Sequence, residues 1–405
     1  MSEGDTTDAS PSGTSHDDVT ALFVSRAARL VAFGATSVAL AFHLAARGFG
    51  EAKIGLLVSL TLVGDAALTL LVGLFGERLG RKRLLVASAL FMAAGLVVFG
   101  LARAPWVLFV TATVGILSPS GGEAGPATAV EQAALASARA ASERPRLYAW
   151  YSFMGSASVA LGSKLGGTLA ARFGPSAVFV GASALVLVGS LPLLGLSRGI
   201  EAKSPPPRRP LEKSRKIVGV LSVLFALDSF GSGLVLQSAL ALWLHLRFGF
   251  GTSTLGTLFF VVNLLSAASA LVAARLAKRI GLLATMVATH IPANLFLLAL
   301  AFAPTGTVAL ALVCLRYCLA QMDVPARMAF VMRAVPEEER TQASVVTSLA
   351  KSAGNALGPV MTGALLAAQS FAVPVVLAAT VKIAYDLGLF AVFRAHEAEH
   401  RREEG

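Results

Sequence analysis

Gly73-Leu-Phe-Gly-Glu-Arg-Leu-Gly-Arg-Lys-Arg83 is a short, highly charged turn caught between two long apolar runs. The run before it, Ile54 to Phe75, carries one charge, Asp65, and the run after it, Leu84 to Ala102, carries none. An apolar run of about 18 residues or more is long enough to cross a bilayer as a helix. The stretch therefore predicts two membrane spans joined by a tight basic turn. Gly73 and Gly80 suit such a turn, because glycine lets the backbone bend or pack closely. Arg78, Arg81, Lys82 and Arg83 anchor it in water and can meet anionic headgroups.

The composition extends this reading to the whole chain. Of its 405 residues, 55% are hydrophobic and 14% charged, against roughly 25% charged in soluble domains, and the mean hydropathy is +0.72. The net charge of +11 does not mark a nucleic-acid surface, because the basic residues sit in short loops between apolar runs. Cys314 and Cys318 share one apolar run and lack the loop-borne pattern of a disulfide scaffold.

Twelve apolar runs fall between residues 22 and 393. The one long polar linker, with Pro205-Pro-Pro207-Arg-Arg-Pro210, divides them six and six. The expected organisation is a disordered tail at 1–18, a six-helix bundle at 19–197, a linker at 198–216, a second six-helix bundle at 217–394 and a tail at 395–405. No basic region and cleavage site precede the first run, so no removable signal peptide is expected. Loops after even-numbered runs, together with the ends of the runs beside them, hold 23 Lys/Arg, and loops after odd-numbered runs hold 5. By the positive-inside rule, the even loops, the linker and both termini belong in the cytosol.

The two halves repeat. Arg47-Gly-Phe-Gly50 with Gly55 aligns with Phe248-Gly-Phe-Gly251 with Gly256 at a shift of 201, which also pairs Gly80 with Gly281 and Arg78 with Arg279. Ala160-Leu-Gly162 matches Ala356-Leu-Gly358 at a shift of 196. Ala274-x3-Lys278-Arg279-x-Gly281 is thus a worn copy of the opening turn. Binding sites in proteins built from such repeats lie near mid-membrane at the repeat interface.

Gly73-x3-Glu77-Arg78-x-Gly80-Arg81-Lys82 resembles the signature loop of the major facilitator superfamily, which normally has Asp where this chain has Glu77. The degenerate second copy, the twelve runs and the long central loop match the same family. Ser118-Pro-Ser-Gly-Gly-Glu123-Ala-Gly-Pro126 with Glu131-Gln132, and Gln321-Met-Asp323-Val-Pro-Ala-Arg327, are similar to a large bacterial branch whose substrates are mostly unassigned. The resemblance implies an all-α membrane protein of 12 transmembrane helices in two pseudo-symmetric bundles. It also implies a secondary transporter working by alternating access, with Gly73, Glu77, Arg78, Gly80 and Arg81 as a cytosolic gate. The family's acid at the Glu77 position bonds across to the other half, here near Thr341. A carboxylate at a helix N-terminus contributes about 0.3–1 kcal/mol.

Ionisable residues inside a membrane are costly and mark functional candidates. Asp228 on span 7, beside Gly231 and Gly233 and followed by Gln237, is the first candidate for cargo or proton binding. Span 7 lines the cavity in the resembled family. Glu123 on span 4, Arg316 on span 10, Lys351 with Asn355 on span 11, Asp65 on span 2 and His290 on span 9 complete the set. Asp323 and Arg327, four apart on span 10, are expected to form a network on the cytosolic side. Lys382 and Asp386, four apart on span 12, are expected to pair with each other, and Arg26 and Arg29 to snorkel from the end of span 1.

No catalytic constellation, metal site or cofactor motif appears, and no phosphate loop, so transport must draw on an existing gradient. The expected activity is proton-coupled export of a small solute across the cytoplasmic membrane by a monomer. Import or uniport of a metabolite is the alternative within that class. A non-transporting membrane receptor or scaffold is the alternative outside it.

Overall fold

The computed structural model describes residues 16–114, 117–121, 126–138, 144–201 and 211–404. Twelve spans follow the twelve apolar runs. The first three are single helices: α1 (His16–Ala45), α2 (Glu51–Leu79) and α3 (Arg81–Leu101). Span 4 is split into α4 (Pro105–Thr113) and α5 (Pro126–Ala138). Spans 5 and 6 are α6 (Arg144–Phe173) and α7 (Pro175–Ser190). Span 7 is split again, into α8 (Arg215–Leu234) and α9 (Gln237–Phe248). Spans 8 and 9 are α10 (Thr252–Ile280) and α11 (Leu282–Leu300). Span 10 is split into α12 (Gly306–Leu319) and α13 (Asp323–Ala334), and spans 11 and 12 are α14 (Arg340–Ala367) and α15 (Ala372–Glu404).

Nine helical stretches among the described residues are long and apolar enough to cross a membrane by themselves. Spans 5 and 11 fall outside that set because α6 and α14 are long enough but rich in Gly, Ser and Thr; span 4 lies only partly within the described residues. Those two helices are wedged between others, α6 against α1 and α10, and α14 against α8 and α2. Large apolar side chains are exposed around the whole bundle, α6 and α14 included, with Leu90 55%, Trp106 70%, Trp150 57% and Leu357 61% exposed. An apolar surface of that kind suits a bilayer, not water.

The repeat is visible in the backbone. Gly80 ends α2 at φ 83° and Gly281 ends α10 at φ 91°, the positive-φ region that favours glycine. Gly50 and Gly251, which open α2 and α10, share φ −73°, ψ 166° and φ −76°, ψ 165°.

Within the described residues α1 runs from His16, and the Asp18 carboxylate near its start is tied to the stretch that follows α7. Its oxygens accept from the Ser197 amide at 2.8 Å and the Ser197 hydroxyl at 2.6 Å. α15 continues through the segment assigned to the last tail, to Glu404.

Candidate functional site

The halves meet tightly at the end distant from the termini. Two helix crossings make the seal, α2 on α14 and α6 on α10. A Cβ on Gly363 would stand 2.5 Å from the Glu51 carbonyl oxygen and 2.9 Å from the Gly55 Cα. One on Gly256 would stand 2.6 Å from the Ser163 oxygen and 2.8 Å from the Gly167 Cα. Glycine here permits backbone-to-backbone approach. The repeat generates both crossings: Gly55 and Gly256 are related by the shift of 201, Gly167 and Gly363 by the shift of 196.

Hydrogen bonds reinforce the seal. Gln237, at the break in span 7, donates to Ser37 at 2.7 Å and to Ser163 at 3.2 Å. Ser238 N–H donates to the Pro119 carbonyl at 3.1 Å, so the breaks in spans 7 and 4 meet. Val360 N–H donates to Ser59 at 2.9 Å, and Lys164 Nζ to Thr257 at 2.7 Å. Gln237 thus belongs to the closed end as well as to the cavity wall.

Next to the seal lies a cavity of about 880 Å³. Its wall runs from Ser120 and Gln237 towards the terminus-bearing end, reaching Ser152, Met328 and Ser348. The halves line it unequally. The N-terminal half supplies Asp65 and the hydroxyls of Ser118, Ser120, Ser152 and Ser156. The C-terminal half supplies most of the charge, from Asp228, His290, Arg316, Asp323, Arg327, Lys351 and Lys382, together with Asn355. Glu123 lies outside the described residues.

Asp228 is the hub of the charged wall. Lys382 Nζ donates to its Oδ1 at 2.6 Å and Arg327 Nη1 to its Oδ2 at 3.0 Å. His290 Nε2 stands 3.8 Å from Oδ1. The other ring nitrogen, Nδ1, faces Asp386 at 2.8 Å, and Asn294 donates to Asp386 at 3.3 Å. Arg327 also pairs with Asp323 at 3.3 Å, as their spacing predicts. The expectation that Lys382 and Asp386 pair with each other is overturned. Each finds its partner on another helix, and Lys382 faces the cavity. Adjacency on one helix is worth only about 0.2–0.5 kcal/mol, less than a bonded contact inside the bundle.

The remaining candidates are sparsely bonded. Asp65 Oδ1, Asn355 Oδ1 and Arg316 Nε have no hydrogen-bond partner among the described residues. Arg316 packs against the Tyr317 ring at 5.0 Å. No ion pair to Arg316 or Lys351 forms among them either.

The N-terminal half has its own cluster, which the sequence reading missed. Arg29 grips Glu131 with both ends of its guanidinium, at 2.7 Å each. Tyr151 donates to the same carboxylate at 2.8 Å, and Arg26 lies 3.5 Å over the Tyr151 ring. Arg26 and Arg29 therefore do not snorkel; Glu131 on the facing helix draws them inward. The polarity is inverted between halves. Span 1 brings bases to an acid on span 4, and span 7 brings an acid to a base on span 10. Glu131 stood out only as part of the family-like stretch, and its pairing with Arg29 carried no local signal, since the two are 102 residues apart.

At the signature turn, the side chains of Glu77, Arg78 and Thr341 lie outside the described residues. Gly73 lies in α2, and Gly80 forms the bend into α3. The amides of Arg81 and Lys82 donate to Glu201, at 2.6 and 3.2 Å, so a carboxylate caps α3. Arg81 Nη1 donates to the Ile200 carbonyl at 2.8 Å. In the second half, Glu339 accepts from the amides of Glu212, Lys213 and Ser214 at 2.9–3.0 Å and from the Ser214 hydroxyl. It ties the start of α8 to the start of α14. The Ser214 hydroxyl and then the Lys213 amide hold its pKa down at about 2.

Twelve spans in two bundles around a central cavity define a multi-pass membrane protein that carries small solutes, and not an enzyme. The chain belongs to the Major Facilitator Superfamily, whose family model matches residues 22–359. It is 26% identical over 430 residues to an uncharacterized membrane protein of Saccharomyces cerevisiae, covering 95% of this chain and 96% of that one. A 62-residue stretch is 36% identical to a Na(+), Li(+), K(+)/H(+) antiporter of Planococcus maritimus, 15% of each chain. Among solved structures, the fold is similar to the nucleoside transporter NupG, with a TM-score of 0.75, 13% identity and coverage of 93% of this chain and 99% of that one. It is also similar to a bacterial homologue of the human lysosomal transporter Spinster in an inward-facing, occupied state, with a TM-score of 0.74, 16% identity and coverage of 93% and 96%.

Proposed function

We propose that this chain is a proton-coupled exporter of a small solute, acting as a monomer in the cytoplasmic membrane by alternating access. The bundles at 19–197 and 217–394 rock about the cavity. With the termini in the cytosol, as the loop charges imply, the seal closes the outer end and the cavity faces inward. The signature turn then lies on the cytosolic side, where Glu77 closes the opposite state. The observation that carries this reading is the cavity itself, shut at one end by repeat-related crossings and walled by ionisable groups. Its size is within the roughly 300–1,000 Å³ of small-molecule sites.

Asp65 is the proton site in this scheme. Asp228 accepts from a cation on each oxygen, so protonating it breaks an ion pair. Asp65 faces the same cavity with an unbonded oxygen, and a proton there breaks none. The antiporter similarity supports exchange of solute for protons.

Purified protein in liposomes carrying a pH gradient tests the proposal. Solute movement should follow the gradient in the wild type. Asp65→Asn should still bind and exchange solute but lose the pH drive. Fully pH-driven transport by Asp65→Asn rules out this proton site. Gradient-independent transport by the wild type means a uniporter. Labelling of Arg81→Cys from outside the cell overturns the orientation.

A further inference from the structure

Resting on the transport reading, we infer that the cargo is a polar organic anion whose carboxylate or phosphate is bound by Arg316 and Lys351. The cavity wall holds four formal cations in the C-terminal half, Arg316, Arg327, Lys351 and Lys382. Two of them are committed. Lys382 is spent on Asp228, and Arg327 bridges Asp228 and Asp323. Arg316 and Lys351 form no ion pair among the described residues, yet both line the cavity.

Arg316 is the stronger indicator. The residue is more than nine-tenths buried, at 8% exposure, and its Nε donor is unsatisfied among the described residues. A buried, unpaired charge is strongly unfavourable unless something pairs with it. A guanidinium offers a rigid fork that fits carboxylate or phosphate oxygens two at a time, and an ammonium adds a point charge. Asn355, four residues after Lys351 and on the same helix face, brings an unbonded amide oxygen to the wall, an acceptor for a hydroxyl of the cargo rather than for its anionic group.

The opposite wall fits the rest of such a molecule. It is lined by the hydroxyls of Ser118, Ser120, Ser152 and Ser156, suited to a hydroxylated body. The one described acid of that wall is Asp65, on the other half from Arg316 and Lys351. The alternative, that Asp65 is the counterion of Arg316 once the halves rock, is decided by the same experiment.

The test is thermal stabilisation of the purified full chain by matched sets of solutes. Lactate, malate, gluconate and glucose 6-phosphate supply the anions. Lactamide, glycerol and glucose are the neutral counterparts, and glucosamine the cationic one. The anions as a class should raise the melting temperature, the others should not. Arg316→Gln and Lys351→Gln should each weaken anion binding about ten- to a hundred-fold, the scale of a hydrogen bond to a charged group. Arg316→Lys keeps the charge and should retain weakened binding, which separates a ligand role from misfolding. Asp65→Asn removes a like charge from the facing wall and should tighten anion binding. The proposal is overturned if neutral or cationic members stabilise as well as the anions, if no anion stabilises, or if Asp65→Asn alone abolishes binding. Anion binding without flux in liposomes would leave the site standing and defeat the transport reading. Flux of neutral solutes alone would do the reverse.

Discussion

Adding one methyl group at each glycine crossing should push the protein out of the conformation described here. An alanine Cβ at position 363 would stand 2.5 Å from the Glu51 oxygen, and one at 256 would stand 2.6 Å from the Ser163 oxygen. Comfortable carbon contacts begin near 3.5 Å, so each pair of helices must part by about 1 Å. Overpacking of this kind costs about 1–3 kcal/mol. The two crossings share no partner, so their effects should add, to about 2–6 kcal/mol. Opposing this are five hydrogen bonds across the seal, each worth about 0.5–1.5 kcal/mol net. Glycine-to-alanine also favours helix by about 1 kcal/mol, but equally in both conformations, so it does not bias the equilibrium. A change of about 5.5 kcal/mol carries a population from 99:1 to 1:99. Each single variant, Gly363→Ala or Gly256→Ala, should therefore shift the balance several-fold or more, and the double variant should come close to inverting it. Spin labels at Lys53→Cys and Ala368→Cys, both exposed at the sealed end, report the change once Cys314 and Cys318 are replaced by serine. The long-distance population should grow in the order wild type, single, double. An unchanged distance distribution in the double variant, with wild-type flux, would refute the argument that these crossings hold the sealed state.

Two further outcomes test the buried charges and the helix caps. Asp228→Asn leaves Lys382 without its counterion and should cost about 3–5 kcal/mol in stability, while Asp228→Asn with Lys382→Met should recover most of it; equal melting temperatures for the single and double variants in detergent would contradict the pairing. Glu339 binds its proton more weakly in the fold than its ordinary 4.5, so the stability from this cap is present above about pH 4.5 and is lost as pH falls through about 2. Protection of the Lys213 and Ser214 amides, taken relative to their unfolded exchange rates, should fall over that window in the wild type, and Glu339→Gln should flatten the pH response.

The sequence by itself determined the spans, their repeat and the positions at which charge enters the membrane. Those are local properties. A run of about 20 apolar residues is committed to a bilayer wherever its neighbours lie, and a glycine at positive φ, as at Gly80 and Gly281, marks its own turn. The Asp323–Arg327 pair was legible for the same reason, since helix geometry alone brings positions four apart together. What only the tertiary structure decided is who bonds to whom across helices. Asp228 with Lys382 joins positions 154 apart, Arg29 with Glu131 joins positions 102 apart, and Gln237 with Ser37 joins positions 200 apart. No periodicity predicts such pairs, because they depend on how whole helices rotate and cross. The same packing decides that Lys382 leaves Asp386 for Asp228. It also decides that Arg316 and Lys351 are left facing an 880 Å³ cavity with their charge unpaired among the described residues.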